Sequence, residues 1–151
     1  MVATGLDMIN KFYGSPYKYF YSIAGAPYFD LGAANSRNDL TSTDVLQILT
    51  NTSAQVPTAH LLDTNVALAL FYQMSIFSQF FNRLYLAMLA YGAGPDTSGP
   101  NSIAAKKAAS LDENMKVVIE QYLTSWYNHG GSLCVWNRFV ASNWDTSEGT
   151  W

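Results

Sequence analysis

Leu84 to Pro100, LYLAMLAYGAGPDTSGP, is the stretch on which the reading of this chain turns. It opens as an uncharged apolar run, Leu84 to Tyr91, and breaks off into Gly92, Gly94, Pro95 and Gly99, with Asp96, Thr97 and Ser98 among them. A short apolar run stopped by glycine and proline predicts a buried strand that enters a polar loop. Beyond the loop, Ser102 to Asn128 carries a helical pattern, so the local order is strand, loop, helix. In α/β folds ligands gather at the loops on the carboxyl ends of buried strands. The loop after Tyr91 is therefore the first place to look for a site.

Working outward, the helix after the loop is expected from Ile103 to His129. Leu111, Met115, Val118, Ile119, Tyr122, Leu123 and Trp126 recur at three and four along it. Ser110 followed by Glu113 reads as a capping box that restarts the helix, and His129-Gly130-Gly131 ends it. Leu133 to Val140, LCVWNRFV, is a further strand, and Ala141 to Thr150 a loop. Upstream, Pro57 to Phe81 reads as a helix apolar around most of its circumference, hence one sandwiched between layers. Ser42 or Thr43 caps a short helix, Asp44 to Leu49, with Asp44 in the turn where the helix dipole favours an anion. Tyr19 to Ala24 is a strand entering a loop from Ala26 to Asp39. Met1 to Tyr13 has a weak helical period that Gly14, Ser15 and Pro16 terminate. Strand, helix, strand, helix, strand is the rhythm of an α/β fold with a parallel sheet.

The chain has 151 residues, of which 49% are apolar, 15% aromatic and only 13% charged. That charged fraction is about half of the usual quarter. Either aromatic and amide-rich surface is exposed outside a cell, or other protein covers much of the surface. A net charge of −3 leaves no basic stripe to neutralise phosphates, which argues against a nucleic-acid partner. Cys134 is the only cysteine, so no intrachain disulfide forms, and with His60 and His129 alone beside it no zinc cluster assembles. It reads as a buried apolar strand residue, poorly placed to be a nucleophile. No cofactor motif is found. Residues 1–20 lack the pattern of a signal peptide. The most apolar segment, Val66 to Phe81, is short and carries Gln73, Ser75, Ser78 and Gln79, so no membrane span is expected. Asn51-Thr52-Ser53 is a formal glycosylation sequon in an expected polar loop.

Tyr19 to Leu31 (YFYSIAGAPYFDL), Ala90 to Lys107 (AYGAGPDTSGPNSIAAKK) and Trp136 to Trp151 (WNRFVASNWDTSEGTW) are similar to the C-terminal part of a group of secreted bacterial glycoside-hydrolase-like proteins. The resemblance is strongest from Ala90 onward and weakest from Thr52 to Phe81. It implies a partial (β/α) barrel of the retaining-glycosidase kind, with about three parallel strands alternating with helices. The 151 residues would then be a single domain, the C-terminal part of a larger barrel, working outside the cell. Its partners would be a carbohydrate and either other protein chains or the upstream part of the same barrel.

In such enzymes the loop after the strand ending at Tyr91 reads Tyr-Glu-Gly-Gly, and its glutamate is the presumed nucleophile. Here Tyr91, Gly92, Ala93 and Gly94 stand in those places, and no Asn-Glu pair supplies the partner acid. Retaining hydrolysis needs two carboxyl groups about 5 Å apart, one to attack and one to protonate the leaving oxygen. Asp96, Asp145 and Glu148 are carboxylates near the expected cleft but read as loop residues or caps. The expectation is a carbohydrate-active domain, degenerate or incomplete, that binds glycan without cutting it. Aromatic faces stack on sugar C–H faces while amides and carboxylates bond the hydroxyls. Tyr28, Tyr91, Asp96, Trp136, Asn137, Arg138, Trp144 and Asp145 are the substrate-binding candidates; no catalytic residue and no metal ligand is assigned. The alternative is a structural or assembly protein whose aromatic surface packs against other subunits, because three parallel strands cannot close a barrel and leave edges open.

Overall fold

A computed structural model describes residues 2–55 and 87–136. The central strand expected from the sequence is there, but it does not stop at the glycines. Strand β3 spans Ala87–Asp96 and runs straight through Gly92, Ala93, Gly94 and Pro95, all of them buried. The correction has a tertiary cause. Neighbouring aromatic rings fill the space where side chains at 92 and 94 would stand, so the small residues belong to the sheet and not to its exit loop.

The strand β1 (Ser22–Gly25) and the strand β2 (Tyr28–Asp30) both pair parallel with the same edge of β3, Ser22 opposite Ala87 and Tyr28 opposite Gly94. They amount to one strand interrupted at Ala26-Pro27, so part of the loop expected over Ala26 to Asp39 is ladder. Strand β4 (Gly131–Trp136) pairs parallel with the other edge of β3, Ala90 opposite Cys134 and Ala93 opposite Trp136. Between Ala90 and Gly94, β3 carries one more residue than its partner on the β1–β2 side, and a register shift falls at the same place on the β4 side. Such an extra residue bends a strand and re-aims its side chains. All pairings among the described residues are parallel, as the α/β reading required.

Helix α1 (Val2–Tyr13) buries Leu6 and leaves Met8, Phe12 and Tyr13 exposed. Helix α2 runs over Ser42–Gln55, longer than the expected Asp44 to Leu49, and contains the Asn51 sequon, which is therefore helical and not a loop. Its cap is Thr41. The Thr41 hydroxyl accepts from the Asp44 amide at 3.2 Å while the Asp44 carboxylate accepts from the Thr41 amide at 2.9 Å, a reciprocal capping box. The Thr41 hydroxyl also donates to the Asp44 carboxylate at 2.6 Å, and this bond, with the one from the Thr41 amide, holds the Asp44 carboxyl below its usual range. The expected single helix from Ile103 is two: α3 (Ile103–Ser110) and α4 (Asn114–Asn128). Asp112 organises the restart, its Oδ1 accepting from the Asn114 amide at 2.9 Å, whereas the Ser110 hydroxyl donates back to the Lys107 carbonyl. His129 and left-handed Gly130 (φ +84°) end α4 as expected.

α2 and α4 cover one face of the sheet. Ile23, Phe29, Met88 and Ala90 meet Val45, Leu49, Val118, Tyr122 and Trp126 there. Tyr122 ties helix to sheet by donating its hydroxyl to the Pro27 carbonyl at 2.7 Å, at the break between β1 and β2. Strand alternation puts Ala24, Leu89, Tyr91, Leu133 and Val135 on the opposite face. Tyr91 is 67% exposed, Leu133 62% and Val135 47%. Among the described residues no helix is long and apolar enough to cross a membrane, and no group of metal-ligating side chains assembles. The helix expected over 57–81, with its candidate span, and the end of the strand expected to Val140 lie outside the described residues.

Candidate functional site

The carboxyl ends of β2 and β3 are adjacent, with Asp30 opposite Asp96. Each aspartate folds the start of its own loop. Asp30 Oδ1 accepts from the Gly32 amide at 2.9 Å, and Asp96 Oδ1 accepts from the Ser98 amide at 3.0 Å. These are the short Asx turns that aspartate makes when a strand gives way to a loop. After Asp30 comes a 3-10 turn, Gly32–Ser36; after Asp96 comes the loop to α3.

Polar groups join the two loops. Asn35 Nδ2 donates to the Ser98 carbonyl at 2.5 Å, and Asn101 Nδ2 donates to the Asn35 carbonyl at 3.3 Å. The Ser102 hydroxyl donates to the Arg37 carbonyl at 2.8 Å and accepts from the Leu40 amide at 3.3 Å. At the centre lies Lys106, 4% exposed, whose ammonium donates to Asn35 Oδ1 at 2.6 Å and to the Gly99 carbonyl at 3.3 Å. Burial pushes the Lys106 pKa down, opposed in part by the nearby Asp96 carboxylate. At the outer edge Arg37 pairs with Asp39 at 2.9 Å. That hydrogen bond raises the guanidinium pKa and lowers the carboxyl one. Thr97 is 2% exposed, and its hydroxyl has no hydrogen-bond partner among the described residues.

The aromatic candidates stand differently from one another. Tyr91 points from β3 onto the open face of the sheet. Tyr28 is half-buried, and its hydroxyl sits 2.5 Å from where a Cβ at Gly92 would be. The space that a side chain at 92 needs is therefore taken by tyrosine. Trp136 covers Gly94, whose Cβ would stand 3.3 Å from the indole, and it meets Tyr122 edge-on at 5.8 Å and Phe29 at 6.5 Å between ring centroids. It is more a roof of the aromatic core than a free platform. Gly94 adopts φ +135°, a conformation that only glycine takes readily.

Tyr28, Asp96 and Trp136 thus gather around the carboxyl half of β3, with Tyr91 beside them. Asn137, Arg138, Trp144 and Asp145 lie outside the described residues. Cys134 is half-buried on the helix-covered face, and burial raises its thiol pKa, so it is no activated nucleophile. Asp30, Asn35 and Lys106 were not singled out by sequence. One signal existed for Lys106: it lies between Ile103, Ala105 and Ala109 on a short helix of small apolar residues, with little else to bury. No family model, no curated protein and no solved structure matches the chain.

Proposed function

We propose that this chain is a carbohydrate-active domain of the (β/α)-barrel kind that binds glycan at the carboxyl ends of its strands without hydrolysing it. The observation that carries the reading is the juxtaposition of aromatic and acidic side chains on two adjacent parallel strands: Tyr28 and Asp30 from β2, and Tyr91 and Asp96 from β3. Ring faces offer the apolar surface that sugars stack on, and carboxylates accept from their hydroxyls. Position 92, where the resembling enzymes carry the attacking carboxylate, is glycine, and Tyr28 fills its space. Hydrolysis through that position has no nucleophile. The loop sequences support an extracellular setting by the same resemblance.

The test is titration of the full chain with a broad panel of soluble oligosaccharides, followed by tryptophan fluorescence and calorimetry. Saturable binding that Tyr91→Ala weakens at least tenfold is expected. A panel without response, or a Tyr91→Ala variant that binds as wild type, overturns the assignment.

A second reading has an observation of its own. Parallel sheets are normally covered on both faces. Here one face presents Tyr91, Leu133 and Val135 to solvent. That face favours a chain that packs against further protein, other subunits or more of the same barrel, and the two readings are compatible.

A further inference from the structure

The loops that leave β2 and β3 lie more than sixty residues apart in sequence, yet Asn35 alone bonds to the second loop at three places: the Ser98 carbonyl, the Asn101 amide and the Lys106 ammonium. Lys106 adds a bond to the Gly99 carbonyl, which closes its own loop onto the same asparagine. Gly99 adopts φ +122°, and a Cβ there would stand 3.1 Å from Asn35 Nδ2, so the asparagine seats against backbone that only glycine supplies. A few residues on, Ser102 bonds both to the Arg37 carbonyl and to the Leu40 amide. The cluster is half-buried or better throughout its centre, and Lys106 is almost wholly withdrawn from water.

We infer that residues 31–40 and 96–106 form one cooperative unit that opens and closes as a whole, with Asn35 and Lys106 as its clasp. Loops on separate strand ends ordinarily open independently, each at a low free energy of its own. Here neither can leave without stranding buried polar groups of the other. Withdrawing Asn35 removes both the carbonyl-like acceptor of a buried ammonium and the donor that satisfies the Ser98 carbonyl, and an unpaired buried polar group is costly. The loops therefore share one opening equilibrium. Asp30 and Asp96, partners in the ladder between β2 and β3, sit at the roots of the two loops. A molecule that engages one loop orders the other, without any contact to it. The inference holds whether or not that molecule is a sugar.

Native-state amide hydrogen exchange on the full chain tests it, followed in peptides covering 31–40 and 96–106. In the wild type the two peptides should report opening constants within threefold of each other. In Asn35→Ala both should exchange at least tenfold faster, while peptides from the middle of α4 keep their wild-type rates. Wild-type opening constants that differ by more than tenfold overturn the inference, as does an Asn35→Ala effect confined to 31–40. Should Asn35→Ala unfold globally, Asn101→Ala removes a single 3.3 Å bond and gives the reading instead: acceleration of both peptides supports the clasp, and acceleration of 96–106 alone refutes it.

Discussion

Gly92 shows how much one missing side chain can decide. Tyr28 Oη stands 2.5 Å from the position of a Cβ at 92 and Tyr28 Cζ stands 3.3 Å from it, so any larger residue must push the ring aside. Gly92→Ala should therefore destabilise the fold by about 1–3 kcal/mol, the usual cost of forcing an extra methyl into packed space. Tyr28→Phe in the same chain should return part of the loss, because the closest atom is gone while the ring carbon remains tight. Urea midpoints of the four proteins in the double-mutant cycle give the coupling directly. Additive losses would mean that the ring and the glycine do not share this space. The same contact shows what sequence could and could not tell. That position 92 lacks a carboxylate is legible in the letters. That a tyrosine from another strand occupies its place is not, since the pairing of Tyr28 with Gly94 is set by tertiary register. Lys106 was hidden for a similar reason. A lysine in the first turn of a helix reads as solvated until the partner loop, with Asn35, folds over it.

Among the described elements, the main strands and helices and their order were legible; their boundaries, and the strand β2 inside the expected Ala26 to Asp39 loop, were not. Hydrophobic periodicity gave the strands, the helices and their parallel arrangement, because burying an apolar face is what forms them. The ends were set by local chemistry that several residues could have supplied. Thr41 and not Ser42 caps α2, since its hydroxyl and the Asp44 carboxylate reach each other's amides; Asp112 and not Ser110 restarts the helix at α4. In the sequence the glycines of β3 have the look of punctuation, yet Gly92 and Gly94 are positions where neighbouring rings come close. The tie between α4 and the first strand carries a measurable consequence. Tyr122 is fully buried and donates to Pro27, so Tyr122→Phe leaves a buried carbonyl unpaired and should cost about 1–3 kcal/mol. Burial also raises the Tyr122 pKa far above its ordinary value, with Cys134 and Tyr28 adding to the effect. The folded state therefore favours the protonated phenol. Its contribution is complete below the unfolded pKa of about 10 and is lost as the pH climbs beyond that. Cys134, raised in the same direction, begins to act at lower pH, so the informative comparison is between wild type and Tyr122→Phe. Urea unfolding from pH 8 upward should show a steeper alkaline fall in wild type than in the variant. Parallel profiles would place the alkaline transition elsewhere.

At the scale of the whole molecule, the described helices clothe the sheet on one side. The charged fraction of 13%, about half of the usual quarter, is in keeping with an uncharged open face, whether it is covered by further protein or exposed outside a cell. The open face has no charge among Ala24, Leu89, Tyr91, Leu133 and Val135. If further protein completes it, the isolated chain should elute as an oligomer in sizing coupled to light scattering, and Leu133→Lys with Val135→Lys should shift it toward monomer. A wild-type chain that is already a monodisperse monomer would exclude the assembly reading. The bond from Tyr122 to Pro27 joins residues 95 apart, and that span sets the order of events at the ribosome. The first strand is synthesised early but finds β3 only after some sixty more residues, and its interruption is sealed only when α4 arrives. Until then Ile23 and Phe29, which the finished fold buries, stand open to water on the nascent chain, and such apolar segments aggregate while waiting. Shielding that strand during translation should therefore raise the yield of folded protein.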